Sequence, residues 1–522
     1  MGQGISKLDL VFGGLLIGFS VYFVYWGFDF IGNGSKAVFL LSAIFGMFMA
    51  FNIGGNDVAN SFGTSVGAKT LSLKQALCVA AIFEVSGAVL AGSEVTETIK
   101  SGIVNLDAFL ITPMDFVYIM MSALVSAGIW LFIATKKGMP VSTTHAIIGG
   151  IVGSSLSLGY IMDNPDISTI SLVKWSEIGS IALSWITSPL LGGVVSYIVY
   201  SLIKKYILNY NDIAQAKLER LKSRKKELKK AFKLKFETLN EDEKIKVNQT
   251  MISDFDIMSE ISYDANDLES EYYKELHKIS QEQKDLKTHN ALEYGVPIIA
   301  AIGAFMISAM MLFKGLNNLH LGLSMLENFL TICMISAVVW MSIFILAKTL
   351  RSKDLSKSTF LLFSWLQVFT AAGFAFSHGS NDIANAVGPF AAIIDTLSSG
   401  NINSMVGVGM PIMVTFGIAL IAGLWFIGRE VIATVGTNLT KIHPASGFSA
   451  EISAASVVMM ASVLGIPVSS THILIGAVLG IGLVNKQANW KLVRPIFLAW
   501  IITIPASCIM SGGFFVLFKS IF

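Results

Sequence analysis

The chain predicts an all-α membrane protein that crosses the bilayer many times and is built from two copies of one unit. Three observations carry this. Hydrophobic residues make up 53% of the 522 and charged residues 14%, with a mean hydropathy of +0.67, a balance that soluble domains do not keep. Apolar stretches of about 20 residues, the length that crosses a ~30 Å hydrocarbon layer, recur throughout. NDVANSFG at Asn56–Gly63 returns as NDIANAVG at Asn381–Gly388, and MPVSTTH at Met139–His145 returns as IPVSSTH at Ile466–His472.

Taken in order, spans are read at 9–30, 37–54, 75–92, 115–135 and 176–203, and then at 294–313, 327–348, 360–378, 409–427, 448–465 and 492–518. Shorter segments at 56–68, 140–158, 381–396 and 467–484 are interrupted by Gly, Pro and Asn and are not read as plain spans. They carry the duplicated motifs. Residues 1–203 and 291–522 form the two membrane repeats, separated by a charged insertion at 204–290. Residues 204–235 hold 12 basic and 3 acidic residues, whereas 236–290 hold 6 basic and 14 acidic. Such blocks can pair as a helical hairpin or remain a solvated linker. Lys204, Lys205 and the basic block after them place the insertion on the cytoplasmic side by the positive-inside rule.

The net charge of +2 is too small to imply nucleic acid. Cys78, Cys333 and Cys508 lie in apolar segments and form no disulfide framework. No cleavable signal is read at the N-terminus, because the first apolar stretch is long and lacks a basic leader.

The motifs carry the chemistry. Each Asn–Asp pair follows a Gly-containing stretch, Phe51–Gly55 or Phe376–Ser380, so a span is expected to end or unwind there. Unwound backbone at membrane depth survives only inside protein or beside a polar cavity. Asn56, Asp57 and Asn60, matched by Asn381, Asp382 and Asn385, then gather a carboxylate and two amides on one helical face. Those oxygens are hard ligands suited to sodium. A capping role is the plain alternative for one Asn–Asp pair, and the recurrence argues against it.

Pro140 and Pro467 suit a first helical turn. Ser142, Thr143 and Thr144, and likewise Ser469, Ser470 and Thr471, then fall where free N–H groups and the positive dipole end favour an anion. Neutral hydroxyls add donors without fixed positive charge. His145 and His472 follow along the same helices. They read as core residues, with proton coupling as the lesser alternative. Glu84 and Glu451 sit in apolar stretches and are further cation ligands by chemistry, although the repeat alignment does not pair them. Gln367 is a weaker polar candidate.

At these motifs the chain resembles the PiT family of inorganic phosphate transporters. The matching runs are GGNDVANSFGTSVGAKTLSLKQA, GSEVTETI and MPVSTTH in the first half, with GSNDIANAVGP, GREVIATVG and IPVSSTH in the second. The resemblance implies two inverted repeats with broken helices and re-entrant hairpins, and phosphate uptake driven by sodium or protons. It implies sodium binding at Asp57 and Asp382, with Asn56, Asn60, Asn381 and Asn385 sharing a site with the hydroxyls of Ser142–Thr144 and Ser469–Thr471. The family's intramembrane glutamates match Glu84 and Glu451.

The expected function is therefore sodium–phosphate symport by alternating access in a plasma or inner membrane. A proton-coupled or metal-phosphate symporter, and a sulfate permease, are the alternatives. No enzyme is expected, since no nucleophile elbow, phosphate loop or zinc motif occurs, and no cofactor beyond the coupling ion. The expected partners are phosphate, sodium and the lipid bilayer, with a homodimer left open.

Overall fold

The structure is a computed structural model that describes residues 7–105, 111–162, 169–259, 263–286, 288–312, 322–352, 354–402, 408–428, 431–432, 442–488 and 490–522. The described residues form helices joined by short turns. Before the insertion come α1 (Lys7–Phe30), α2 (Lys36–Gly67), α3 (Leu73–Ala91), α4 (Ser93–Ser101), α5 (Pro113–Lys136), α6 (Thr143–Met162) and α7 (Trp175–Ile203). The insertion supplies α8 (Asn209–Glu237), α9 (Glu241–Ser259) and α10 (Glu271–Asp285). The remainder is α11 (Val296–Met310), α12 (Met325–Thr349), α13 (Leu355–Asp382), α14 (Ala384–Ser399), α15 (Met410–Ile427), α16 (Pro444–Val463), α17 (Ser470–Asn485) and α18 (Trp490–Ile521). Among the described residues, 12 helical stretches are long and apolar enough to cross a membrane. The protein is a polytopic membrane protein.

That is one more than the spans read from the sequence, and the addition is α6. Its glycines and serines hid it: Ser154 and Ser155 return their hydroxyls to carbonyls one turn back, so they carry little polarity to the helix surface. The expected unwinding before Asn56 is also absent, for α2 runs unbroken from Lys36 to Gly67. In the second copy only Ile383 separates α13 from α14. Gly54 and Gly379, read as helix breakers, instead let other helices approach. A Cβ on Gly54 would collide with the carbonyl of Leu420 in α15, and one on Gly423 of α15 with that of Phe51. The second copy repeats this crossing, with Gly379 of α13 against Glu84 of α3 and Gly87 against Phe376. The first copy's motif helix thus crosses a second-copy helix, and the reverse holds.

Helix starts and stops follow the local chemistry. Ser72 and Gln75 form a capping box on α3, Thr112 caps α5 ahead of Pro113, and His443 caps α16 ahead of Pro444. The ends of α5 and α16 are built alike. Gly138 and Gly465 adopt φ of 63° and 67°, and the next residues, Met139 and Ile466, donate back to Ala134 and Ala461 at 2.9 Å. This glycine turn satisfies the last carbonyls and releases the chain in extended form. As a result α6 and α17 begin at Thr143 and Ser470, three residues beyond the prolines expected to open them.

The chain divides into two compact units, one of residues 1–201, 300–339 and 363–522, the other of residues 202–299 and 340–362. The core of the first is made by α2, α5, α6, α14 and α15 around Phe39, Met49, Leu124, Ile147, Phe390 and Phe416. In the second unit the basic and acidic blocks pair as helices: Arg224 of α8 meets Glu275 and Glu282 of α10. Asp254 of α9 is buried and accepts the backbone N–H groups of Glu269 and Ser270, each at 2.8 Å. Burial alone would raise its pKa, but the bonds from Ser270 and Glu269, with Lys274 nearby, hold it below the ordinary aspartate value.

Two outcomes follow from this packing. Gly423→Ala should destabilise the purified protein by about 3 kcal/mol or more, because backbone leaves no room to repack. Gly179→Ala, where nothing approaches, should be neutral or stabilising by up to ~1 kcal/mol; thermal unfolding in detergent reads both. Since the folded pKa of Asp254 is depressed, its contribution is present above the unfolded value of about 3.9 and lost as pH falls through the folded one. Asp254→Asn should loosen α10 at pH 7 by about 1–2 kcal/mol and abolish the added loss of protection near pH 3, measured by hydrogen exchange corrected for intrinsic rates.

Candidate ion and anion site

The extended segments after the glycine turns are pinned by the first asparagine of each motif. Asn56 donates to Thr135 Oγ1 at 3.0 Å and to the Met139 carbonyl at 3.1 Å, and its own oxygen accepts from Val141 N at 3.1 Å. Asn381 repeats this with Ser462 Oγ at 3.1 Å, the Ile466 carbonyl at 3.2 Å and Val468 N at 3.2 Å. The partners correspond one for one at the repeat offset of 327. Both side chains, expected among the phosphate and sodium ligands, are placed as clamps on the loops that carry the hydroxyls. Thr135 and Ser462, which receive them, were not singled out from the sequence.

The second asparagines cross between copies. Asn60 donates to Thr471 Oγ1 at 2.8 Å, Ser470 Oγ at 3.4 Å and Asp57 Oδ1 at 3.2 Å. Asn385 donates to Thr143 Oγ1 at 3.2 Å and Thr144 Oγ1 at 3.3 Å. Thr144 in turn gives its proton to the Val468 carbonyl at 2.8 Å, and Thr471 stands 3.4 Å from that of Val141. The amide of one copy therefore organises the hydroxyls of the other, at the facing starts of α6 and α17. Ser142 and Ser469 accept from His145 N and His472 N. They are caps rather than first-turn residues, and each keeps an O–H to give.

Three groups converge between these helix starts. One ligating atom each of Asp57, His378 and Asp382 lies within 4.8 Å of the others. His378 Nε2 is 2.8 Å from Asp382 Oδ2, and its Nδ1 is 3.2 Å from Glu84 Oε1. All four residues are buried. Ser470 donates to Asp382 Oδ2 at 2.6 Å and Thr471 to Asp57 Oδ1 at 3.0 Å. The second oxygens, Asp57 Oδ2, Asp382 Oδ1 and Glu84 Oε2, together with Asn385 Oδ1, close no hydrogen bond among the described residues. Buried acceptors are seldom left unpaired, and clustered hard oxygen atoms are the donor set of an alkali or alkaline-earth cation.

His378 was quoted in the sequence only as part of a break. Its signal was available: it precedes Asp382 by one helical turn and so shares its face, whereas Ile53 holds the same place in the first copy. The crossings likewise pair Glu84 with Leu420. Glu84, His378 and Asp382 thus form a chain that only one side of the pseudo-symmetric site possesses.

Glu451 is placed apart. Thr64 lies seven residues beyond Asp57 on α2, about 10 Å along the axis. The Glu451 carboxylate accepts from Thr64 at 2.5 Å, Ser65 at 2.7 Å, Thr370 at 2.7 Å and Gln367 at 3.1 Å. Gln367 is itself held by Thr70 at 2.6 Å. The corresponding residues of the other copy are Leu124, Pro389 and Phe390, which belong to the dry core. His145 and His472 stand together with ring centroids 4.6 Å apart, tilted against Trp185 at 3.9 Å and Trp500 at 3.6 Å respectively. They are core rings. Of the GREVIATVG run, Arg429, Glu430 and residues 433–436 lie outside the described residues.

The likeness to known proteins agrees with this geometry. Residues 53–511 match the model of the phosphate transporter family. A Mycobacterium bovis protein bearing a phosphate-permease name is 54% identical over 514 residues, covering 98% of this chain and 93% of the relative. The chloroplastic inorganic phosphate transporter 2-1 of Arabidopsis thaliana is 31% identical over 485 residues, covering 91% of this chain and 71% of the relative. A solved structure described as the sodium-dependent phosphate transporter superimposes with a TM-score of 0.71 at 28% identity, covering 93% of this chain and all of that one. The duplicated motifs and their reciprocal packing are those of a transporter and not of an enzyme, and the chain belongs to the phosphate transporter family.

Proposed function

We propose that the protein imports inorganic phosphate together with sodium, by alternating access around the site where α6 and α17 begin. The observation that carries this reading is the meeting of two hydroxyl-bearing helix starts with two carboxylates whose outer oxygens are unpaired. Phosphate would be held by the hydroxyls of Ser142–Thr144 and Ser469–Thr471 and the free N–H groups beside them. Sodium would be held by Asp57, Asp382, Asn60, Asn385 and Glu84, with Glu451 as a separate cation station. Asn56 and Asn381 would act by fixing the loops.

Electrostatics supports coupling. Two carboxylates with atoms within 4.8 Å of one another repel by roughly 3 kcal/mol or more at an effective dielectric of 20, and an arriving oxyanion would add repulsion from both. Cations seated on the outer oxygens relieve this, so phosphate and sodium favour each other. Two copies in reciprocal contact suit an inverted pair rocking about a midplane site. The basic residues that open α8 support a cytoplasmic insertion and a cell-membrane location.

A second reading, proton coupling, is favoured by His378 between Glu84 and Asp382, which offers a proton carrier where the first copy has Ile53. Vesicles reconstituted with the purified protein decide between them. Labelled phosphate should accumulate under an inward sodium gradient and not when choline replaces sodium; accumulation driven by a proton gradient and indifferent to sodium would establish the second reading. Excess sulfate that competes as well as phosphate would overturn the substrate assignment. Asp57→Asn should lower sodium-driven uptake about tenfold or more, the loss of one charged ligand worth roughly 1.5–3 kcal/mol. Thr144→Val should mainly raise the phosphate KM.

A further inference from the structure

The hydroxyls that phosphate would need at the second copy's helix start already donate to carboxylates. Ser470 gives its proton to Asp382 Oδ2 at 2.6 Å, and Thr471 gives its proton to Asp57 Oδ1 at 3.0 Å while accepting from Asn60 at 2.8 Å. A carboxylate oxygen and a phosphate oxygen make the same demand on a hydroxyl. Because Ser and Thr each carry a single O–H, each can serve one anionic oxygen at a time. We propose that Asp57 and Asp382 are the resident anions of the phosphate cradle, competing with phosphate for Thr471 and Ser470, and that a bound cation draws the carboxylates away and releases those donors.

This rests on the sodium–phosphate reading above and assigns Ser470 and Thr471 a second role in it, as the switch between two anions. Three features support it. The second carboxylate oxygens, Asp57 Oδ2 and Asp382 Oδ1, are buried and close no hydrogen bond among the described residues, so a cation seated on them would pull against the hydroxyl bonds on the same carboxylates. Asn60 and Asn385 present their N–H₂ groups to the cradle, and the peptide acceptor beside Thr471, the Val141 carbonyl, stands at a long 3.4 Å, so a hydroxyl leaving a carboxylate gains more from phosphate. Finally, the exchange is uneven between the copies. At α17 both Ser470 and Thr471 donate to carboxylates, whereas at α6 Thr144 donates to the Val468 carbonyl, a neutral acceptor of the other copy's loop, and Thr143 alone bears on a carboxylate, that of Asp57. Phosphate therefore displaces carboxylates chiefly at α17.

The reading separates from simple ligation of sodium by aspartate in one measurement. If the carboxylates only hold sodium, neutralising them weakens phosphate binding at every sodium concentration. If they also occupy the cradle, neutralising them admits phosphate without sodium. Binding of labelled phosphate to the purified protein is measured in choline chloride and in sodium chloride. Sodium should raise the wild-type affinity at least a hundredfold, and the Asp57→Asn/Asp382→Asn double variant should bind phosphate in choline at least tenfold more tightly than wild type. Asp115→Asn removes a buried carboxylate bonded to Thr112 and Lys519 and not to the cradle. It should leave sodium-free binding at the wild-type level.

No gain in the double variant, or an equal gain in Asp115→Asn, overturns the proposal, the latter because relief of negative charge alone would then suffice. Should the double variant fail to fold, infrared difference spectra of wild type on adding sodium without phosphate take its place. They should show shifted aspartate carboxylate bands, with part of the shift missing in Thr471→Val; unchanged bands overturn the proposal. Failure of wild type to accumulate phosphate with sodium in vesicles would instead overturn the functional reading beneath it.

Discussion

One exchange of side chains holds the site in being: Asn60 of the first copy reaches the hydroxyls that start α17, and Asn385 of the second reaches those that start α6. A buried amide must find partners or forfeit the hydrogen bonds that water would supply. Here the hydroxyl partners lie in the other copy, so the two halves cannot separate without breaking four hydrogen bonds. Everything near the site is arranged to permit this contact. The glycine crossings of α2 with α15 and of α13 with α3 bring backbones together with no side chain between them. The glycine turns at Gly138 and Gly465 end the preceding helices sharply, and Asn56 and Asn381 then hold the released segments so that α6 and α17 start face to face.

On this symmetric frame the departures from symmetry carry the charge. His378 faces Ile53, Glu84 faces Leu420 and Glu451 faces Leu124, and each polar member lies where the matching place is apolar. The consequence is physical. Around Glu451 four neutral donors gather on a carboxylate, whereas the matching Pro389 and Phe390 pack into a cluster with Phe23, Phe39 and Phe416. One place is polar and carries a carboxylate, and the other is apolar and closely packed. The pair as built therefore gives two unlike environments around a shared centre.

Much of this was legible in the residues. Repetition of NDVAN and PVSTTH located the site within two short segments per copy, and the repeat offsets alone showed that Glu84 and Glu451 have no equivalents. What stayed hidden depends on helix partners. Gly54 and Gly379 read as breaks because glycine lowers helix propensity, yet in a membrane bundle the same glycines mark close crossings. Asn56 and Asn60 look alike on one helical face, and only the turn at Gly138 separates them into a clamp and a bridge. His378 was obscured for a similar reason: a histidine one turn from an aspartate gains meaning only when Glu84, nearly 300 residues away, closes the other side of its ring.

The same physics explains why the cradle is made, among the described residues, of hydroxyls and amides with no lysine or arginine. A fixed cation at membrane depth would bind phosphate strongly from either side and would equally resist its release. Neutral donors hold an oxyanion well only while mobile cations stand beside it, so affinity leaves with the cations. In the proposed exchange the carboxylates that would receive those cations are bonded to Ser470 and Thr471. Departure of the cations would then restore acceptors to the same hydroxyls that phosphate gives up. Such an exchange would keep the number of hydrogen bonds nearly constant between its two ends, and a step that trades bonds without losing them is one that a protein can run in both directions.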